Sequence, residues 1–100
     1  DLYLMPLAQH TNALGTVHLA VLTALGEGAA WLVMGENSIP TSVVSHFLRP
    51  AKVGEGEEGL RAHATVVHQG RSSGLADATV VQGEKLIATL RISFFMIRSE

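Results

Sequence analysis

Glu27 is the residue whose type and setting point most directly to chemistry. Between Leu2 and Leu48 the acidic residues are Glu27 and Glu36, and there is no Lys or Arg. The positions three and four residues away hold Thr23, Ala24, Ala30 and Trp31, so no local ion-pair partner exists. Burying an unpaired carboxylate is costly. Desolvation also makes such a group hold a proton more readily, which suits a general base. Two readings stay open on the residues alone: an edge position that meets water, or a base in a working site.

The segment ahead of Glu27 adds a second component. His10-Thr11-Asn12 runs into Ala13-Leu14-Gly15-Thr16-Val17-His18 and then into an apolar helical stretch. A helix N-terminus presents unpaired N–H groups and the positive end of the helix dipole. Around His18 and Leu19 these donors can receive a developing oxyanion, and Asn12 can orient a water or a carbonyl. Glu27 follows His18 by about two and a half turns, roughly 13 Å along the axis. One chain therefore keeps the acid and the oxyanion donors apart. A single site needs them from two chains, which predicts a dimer.

The elements that must position these groups follow from periodicity. Thr16 to Met34 is expected to be helical, with Thr16 as N-cap and Gly35 as the C′ residue. Val17, Val21, Ala24, Gly28 and Trp31 form one stripe; Leu22, Leu25, Ala29 and Leu32 widen it. A helix apolar over most of its circumference is expected to lie at the centre of its domain. Asp1–Leu7, Thr41–Leu48, Leu60–Gln69, Ser72–Gln82 and Lys85–Ile97 read as strands, with a hairpin turn at Gln82-Gly83-Glu84. Residues 1–100 read as a single α+β domain with an antiparallel sheet wrapped around one long central helix.

Composition narrows the function classes. Hydrophobic residues make up 47% of the 100 and charged residues 16%. That is too apolar for disorder and suits a small domain that buries some of its surface against a partner subunit. A net charge of −2 provides no basic field for nucleic acid. No apolar run reaches transmembrane length, since Val17 to Met34 is broken by His18, Thr23, Gly26, Glu27 and Gly28. Asp1–Leu7 lacks the cationic start of a signal peptide. The absence of cysteine removes disulfides, thiolate nucleophiles and Cys-type zinc sites, and fits a cytoplasmic location. His10, His46, His63 and His68 show no metal-binding spacing, and His63 and His68 are expected on opposite faces of one strand. Trp31 and Met34 read as core or as the wall of an acyl pocket. Glu55, Glu57 and Glu58 read as a solvated turn, and Phe94, Phe95 and Met96 as sheet packing or subunit contact.

Several of these segments together resemble the hotdog-fold acyl-CoA thioesterases of the phenylacetic-acid-pathway type. The resemblance rests on Asn12 to His18 followed by an acid at Glu27. It extends through Phe47-Leu48-Arg49-Pro50-Ala51, Val67-His68-Gln69-Gly70-Arg71 and Gly83-Glu84-Lys85-Leu86-Ile87-Ala88, and so covers most of the chain. It implies a five-stranded antiparallel sheet around the helix, a homodimer or a homotetramer built as a dimer of dimers, and an acyl-CoA substrate. Coenzyme A would enter as part of that substrate, with no other cofactor and no metal. It further implies that Glu27 acts as base or nucleophile and that the Leu19 N–H polarises the thioester carbonyl. Asn12 would place the water and His18 would hold the loop. Gly15, Thr41, Ser42, Gly70 and Arg71 would contact substrate, with Arg71 near a CoA phosphate and Arg49 as a weaker alternative. The sequence departs from the family pattern at Leu19-Ala20, where that pattern has Gly-Gly. The N–H survives the change, but a Leu side chain crowds the approach of substrate. That departure supports the alternative of a non-catalytic hotdog module that binds acyl-CoA or serves assembly. A hotdog dehydratase would pair an Asp with a His on one loop–helix segment, and that arrangement is missing here.

Overall fold

The computed structural model describes residues 2–4, 19–52 and 59–97. In chain order they form β1 (Leu2–Leu4), α1 (Leu19–Met34), β2 (Ser38–Phe47), β3 (Leu60–Gln69), β4 (Ser73–Gln82) and β5 (Lys85–Met96). The strands make one five-stranded sheet in the order β1-β3-β4-β5-β2, antiparallel throughout. Its inner face packs on α1. This is the expected α+β hotdog arrangement. Expectations at Asn12, Gly15 and His18, the helix start at Thr16, and the acidic turn at Glu55 to Glu58 lie outside the described residues.

Alternation builds the sheet. On β4, Gly74, Ala76, Ala78, Val80 and Gln82 are buried, while Leu75, Asp77, Thr79 and Val81 are half-buried on the other face. β5 sends Leu90, Ile92, Phe94 and Met96 inward. The inner face is lined with small side chains at Ala62, Ala64, Ala76, Ala78 and Ala88, which let the helix sit close to the strands. Leu22, Leu60, Ile87, Ile92 and Val80 are the largest fully buried side chains. Each such burial stabilises the fold by about 1.5–3 kcal/mol.

Two glycines end elements by adopting a backbone that other residues avoid. Gly35 has φ 102° and donates its N–H to the Trp31 carbonyl at 2.9 Å, closing α1 as the C′ residue. Gly83, with φ 62°, turns β4 into β5. Two glutamines pin the periphery. Gln69 Nε2 donates to the Met34 carbonyl at 3.1 Å, satisfying a carbonyl at the helix end. The side chain of Gln82, 7% exposed, receives the Lys52 N–H at 3.0 Å and donates to the Lys52 carbonyl at 2.8 Å. It thus holds the segment after β2 as a neighbouring strand would.

Three details correct the sequence reading. First, the helix turns Leu22, Gly26, Ala29, Ala30 and Met34 to the sheet. The stripe of Val21, Ala24, Gly28 and Trp31 is half-buried or exposed, and Trp31, Leu32 and Val33 are 40–55% exposed. A helix apolar on several sides carries no periodic signal to say which side the sheet covers. Second, β2 starts at Ser38 and runs through Pro40, with an irregularity between Pro40 and Ser42. Proline lacks a ladder donor, but β2 is an edge strand and tolerates it. Third, β3 is irregular between Val66 and His68, so that His63 pairs with Thr79 and His68 with Leu75. Both partners lie on the outer face, so His63 and His68 share that face. The extra residue in the strand reverses the parity.

Candidate active site

Glu27 occupies the middle of α1, half-buried. Ala24, Glu27, Gly28 and Trp31 follow the i, i+3, i+4, i+7 spacing that places residues on one helix face. That face looks towards β2, and the four residues line a cleft of about 320 Å³ with Pro40. Pro40 reaches the cleft because it pairs with Phe94, whose buried side chain lies on the inner face of the sheet. Among the described residues no hydrogen bond or ion pair engages the Glu27 carboxylate. Among the described lining residues it is the one charged group.

The cleft wall is anchored. The indole Nε1 of Trp31 donates to the Ser38 carbonyl at 3.2 Å. Ser38, 4% exposed, donates its hydroxyl to the Gly35 carbonyl. Helix end and strand start are thereby tied together on either side of the α1–β2 turn, and the indole orientation is set by backbone.

The other anticipated residues are dispersed. Thr41 is exposed at the β2 irregularity and donates its hydroxyl to the Ser93 carbonyl at 3.2 Å. Ser42 pairs with Ser93 and so points to the outer face, away from Glu27. Pro40, and not Thr41 or Ser42, stands beside the acid. Leu19 opens the described part of α1, eight residues and about 12 Å of helix rise before Glu27. Gly70 donates its N–H to the Ser73 carbonyl at 2.8 Å in the β3–β4 turn, and Arg71 is exposed in that turn. Gln69 ties the turn to Met34, about 10 Å of rise beyond Glu27. Arg49 is exposed just past the end of β2. The acid, the helix start and the Arg71 turn are thus spread along the helix. Pro40 is one of the positions near the acid that the sequence leaves open beside Thr41 and Ser42, whereas nothing local marks the Ser38 anchor, because a strand beginning after Pro40 leaves Ser38 outside it.

A larger concavity of about 480 Å³ lies on the outer face of the sheet, lined by Val44, His46, Asp77, Thr79, Thr89 and Arg91. Arg91 grips Asp77 there with two hydrogen bonds of 2.7 and 2.9 Å. These bonds hold the Asp77 carboxyl below the usual carboxylate value and raise the Arg91 guanidinium. The two charges neutralise each other, which leaves this surface without a free acid for catalysis. Among the described residues no group of three or more His, Asp or Glu gathers to hold a metal ion, and no helix is long and apolar enough to cross a membrane.

Comparison with known proteins gives the cleft its context. Residues 14–89 match the thioesterase superfamily. The PaaI protein of the phenylacetic acid degradation operon of Escherichia coli is 26% identical, with a TM-score of 0.84 over 97% of this chain and 71% of that one. Thioesterase superfamily member 2 from Mus musculus is also 26% identical, with a TM-score of 0.77 over 88% and 72%. The BH2602 protein of Bacillus halodurans, solved with CoA, shares the fold at 22% identity, with a TM-score of 0.84 over 95% and 69%. A search of curated proteins found no match.

Proposed function

The chain belongs to the thioesterase superfamily, and on that premise we propose that it hydrolyses an acyl-CoA thioester to the free acid and CoA, with Glu27 as the working carboxylate. The observation that carries this reading is the Glu27 carboxylate in the apolar cleft against Pro40 and Trp31, with no partner among the described residues. A carboxylate placed beside a water can accept its proton as that water attacks. The water oxygen then bonds to the thioester carbon and the carbonyl becomes an oxyanion. The C–S bond breaks, and the proton held by Glu27 passes to the CoA sulfur. Alternatively Glu27 attacks directly and forms a mixed anhydride that water opens. Label from ¹⁸O-water found in Glu27 after a single turnover identifies the second route with the anhydride opened at the Glu27 carbon.

Helix-start donors must meet the oxyanion, and those of the same chain lie about 12 Å from Glu27 by helix rise. A second copy therefore supplies them. The free edge of β2 fits this role. It is a ten-residue edge strand with exposed Ile39, Val44 and Phe47, and Leu32 and Val33 of α1 are exposed as well. A long apolar edge of this kind is covered in a stable protein. In such an assembly Asn12, His18 and the Leu19 N–H of one subunit serve Glu27 of the other, and Arg71 contacts a CoA phosphate.

The test is thiol release from short-, medium- and long-chain and aryl acyl-CoAs by wild type and Glu27→Gln. A loss of about a hundredfold or more in the folded variant supports the base. Turnover by wild type that survives Glu27→Gln refutes it. The second reading, an acyl-CoA-binding module without turnover, is favoured by the sequence departure at Leu19, a position that the family pattern fills with glycine. It wins if wild type binds acyl-CoA and releases no thiol.

A further inference from the structure

Trp31 stands one helical turn beyond Glu27 on the same face, with its indole fixed through Nε1 to the Ser38 carbonyl at 3.2 Å. It forms one wall of the apolar cleft whose other members are Ala24, Gly28 and Pro40. Ala24 brings little bulk to the space beside the acid, and Leu2 covers Gly28, so the indole is the large group that limits how far an acyl chain can extend along the helix. The cleft measures about 320 Å³, and a cavity of ~150 Å³ holds one benzene. A short or medium acyl group therefore fits by the same yardstick. Building on the thioesterase reading, we propose that Trp31 is a specificity-determining residue that sets an upper limit on acyl-chain length, so that short and medium acyl groups are accepted and long ones rejected. The indole acts as a stop because it is tethered: to swing aside it must give up a hydrogen bond to backbone that the buried Ser38 holds in place.

Trp31 is the sole tryptophan of the chain, so its fluorescence reports on the cleft directly. The experiment measures kcat/KM against chain length from acetyl- to palmitoyl-CoA for wild type, Trp31→Phe and Trp31→Ala, and reads tryptophan emission during titration of Glu27→Gln with the same series. In wild type, each methylene that fits should raise kcat/KM about fourfold until the stop is reached, after which the gain ends. Trp31→Ala should move that break to chains longer by several carbons, with Trp31→Phe in between. Emission of Glu27→Gln should respond to medium chains and level off at the same length. If Trp31→Ala and wild type share one profile while Glu27→Gln is inactive, the stop is overturned and the catalytic reading stands. If no thioester is hydrolysed but emission levels off at a definite length, the stop stands and catalysis falls. Emission that ignores acyl-CoA and shifts with protein concentration instead places Trp31 in a subunit contact and overturns the proposal.

Discussion

The same substitution at two glycines of α1 should have opposite consequences. A Cβ on Gly26 would lie 2.7 and 3.0 Å from the two terminal carbons of Leu90 and 3.3 Å from its Cγ. Leu90 is 3% exposed on a central strand and has nowhere to go. A Cβ on Gly28 would meet a single atom, Leu2 Cδ1 at 2.8 Å, on a half-buried side chain of the three-residue edge strand β1. Replacing glycine by alanine inside a helix gains about 1 kcal/mol of propensity in both cases. Overpacking against Leu90 costs about 1–3 kcal/mol, whereas the tip of Leu2 can rotate away at little cost. Gly26→Ala should therefore be neutral to about 2 kcal/mol destabilising, and Gly28→Ala up to about 1 kcal/mol stabilising. Urea unfolding at fixed protein concentration should separate their midpoints with unchanged m-values. Thermal midpoints should differ by about 4–8 °C for each kcal/mol. Equal stability of the two variants would mean that Leu90 repacks freely, and the close seating of α1 on the sheet would be wrong.

Other substitutions test other contacts. Gly35→Ala forces a side chain into φ 102° and should cost about 1–3 kcal/mol, while Gly83→Asn, at φ 62° in the left-handed region that asparagine tolerates, should unfold at nearly the wild-type urea concentration. Gln82→Ala removes both bonds to Lys52; a loss of about 1–3 kcal/mol is expected, with faster tryptic cleavage after Lys52 as the local sign. Asp77→Asn tests the surface pair. The native Asp77 carboxyl is held below its ordinary value by Arg91, so its contribution is present at neutral pH and fades as pH falls through the native value. The pair is exposed, so the effect is small. Wild type should exceed Asp77→Asn in urea midpoint at pH 7 and converge with it at strongly acidic pH; a constant gap refutes the linkage.

Legibility followed local signal. β3 was bounded at Leu60 and Gln69 because Leu60, Ala62 and Ala64 alternate with polar partners and a Gly follows the strand. Gly35 and Gly83 announced the end of the helix and the hairpin because their conformations are ones that few other residues adopt. Glu27 stood out because no cation lies within a turn of it. What the sequence left open depends on partners far along the chain. The irregularities at Thr41 and Val67 redirect Ser42 and His68, yet both are defined only against β5 and β4, and nothing in the local residues marks them. The buried side of α1 was equally hidden, because apolar residues surround the helix and only the sheet chooses among them. Pro40 resembles a strand boundary by composition. Its place opposite Glu27 comes from the edge position of β2, a property of topology.

The strand order also governs when the cleft comes into being. β3, β4 and β5 form a meander of neighbouring hairpins whose contacts are local. β2 must instead find β5 across more than half of the chain, with Ser38 opposite Met96. Closing so long a loop is slow, on the order of milliseconds to seconds for sheets dominated by distant pairings. Glu27 and Pro40 face each other only after that step, so the cleft is a late product of folding. In refolding, strand signal should appear before the Trp31 indole reaches its final environment, and any catalytic competence should follow the indole.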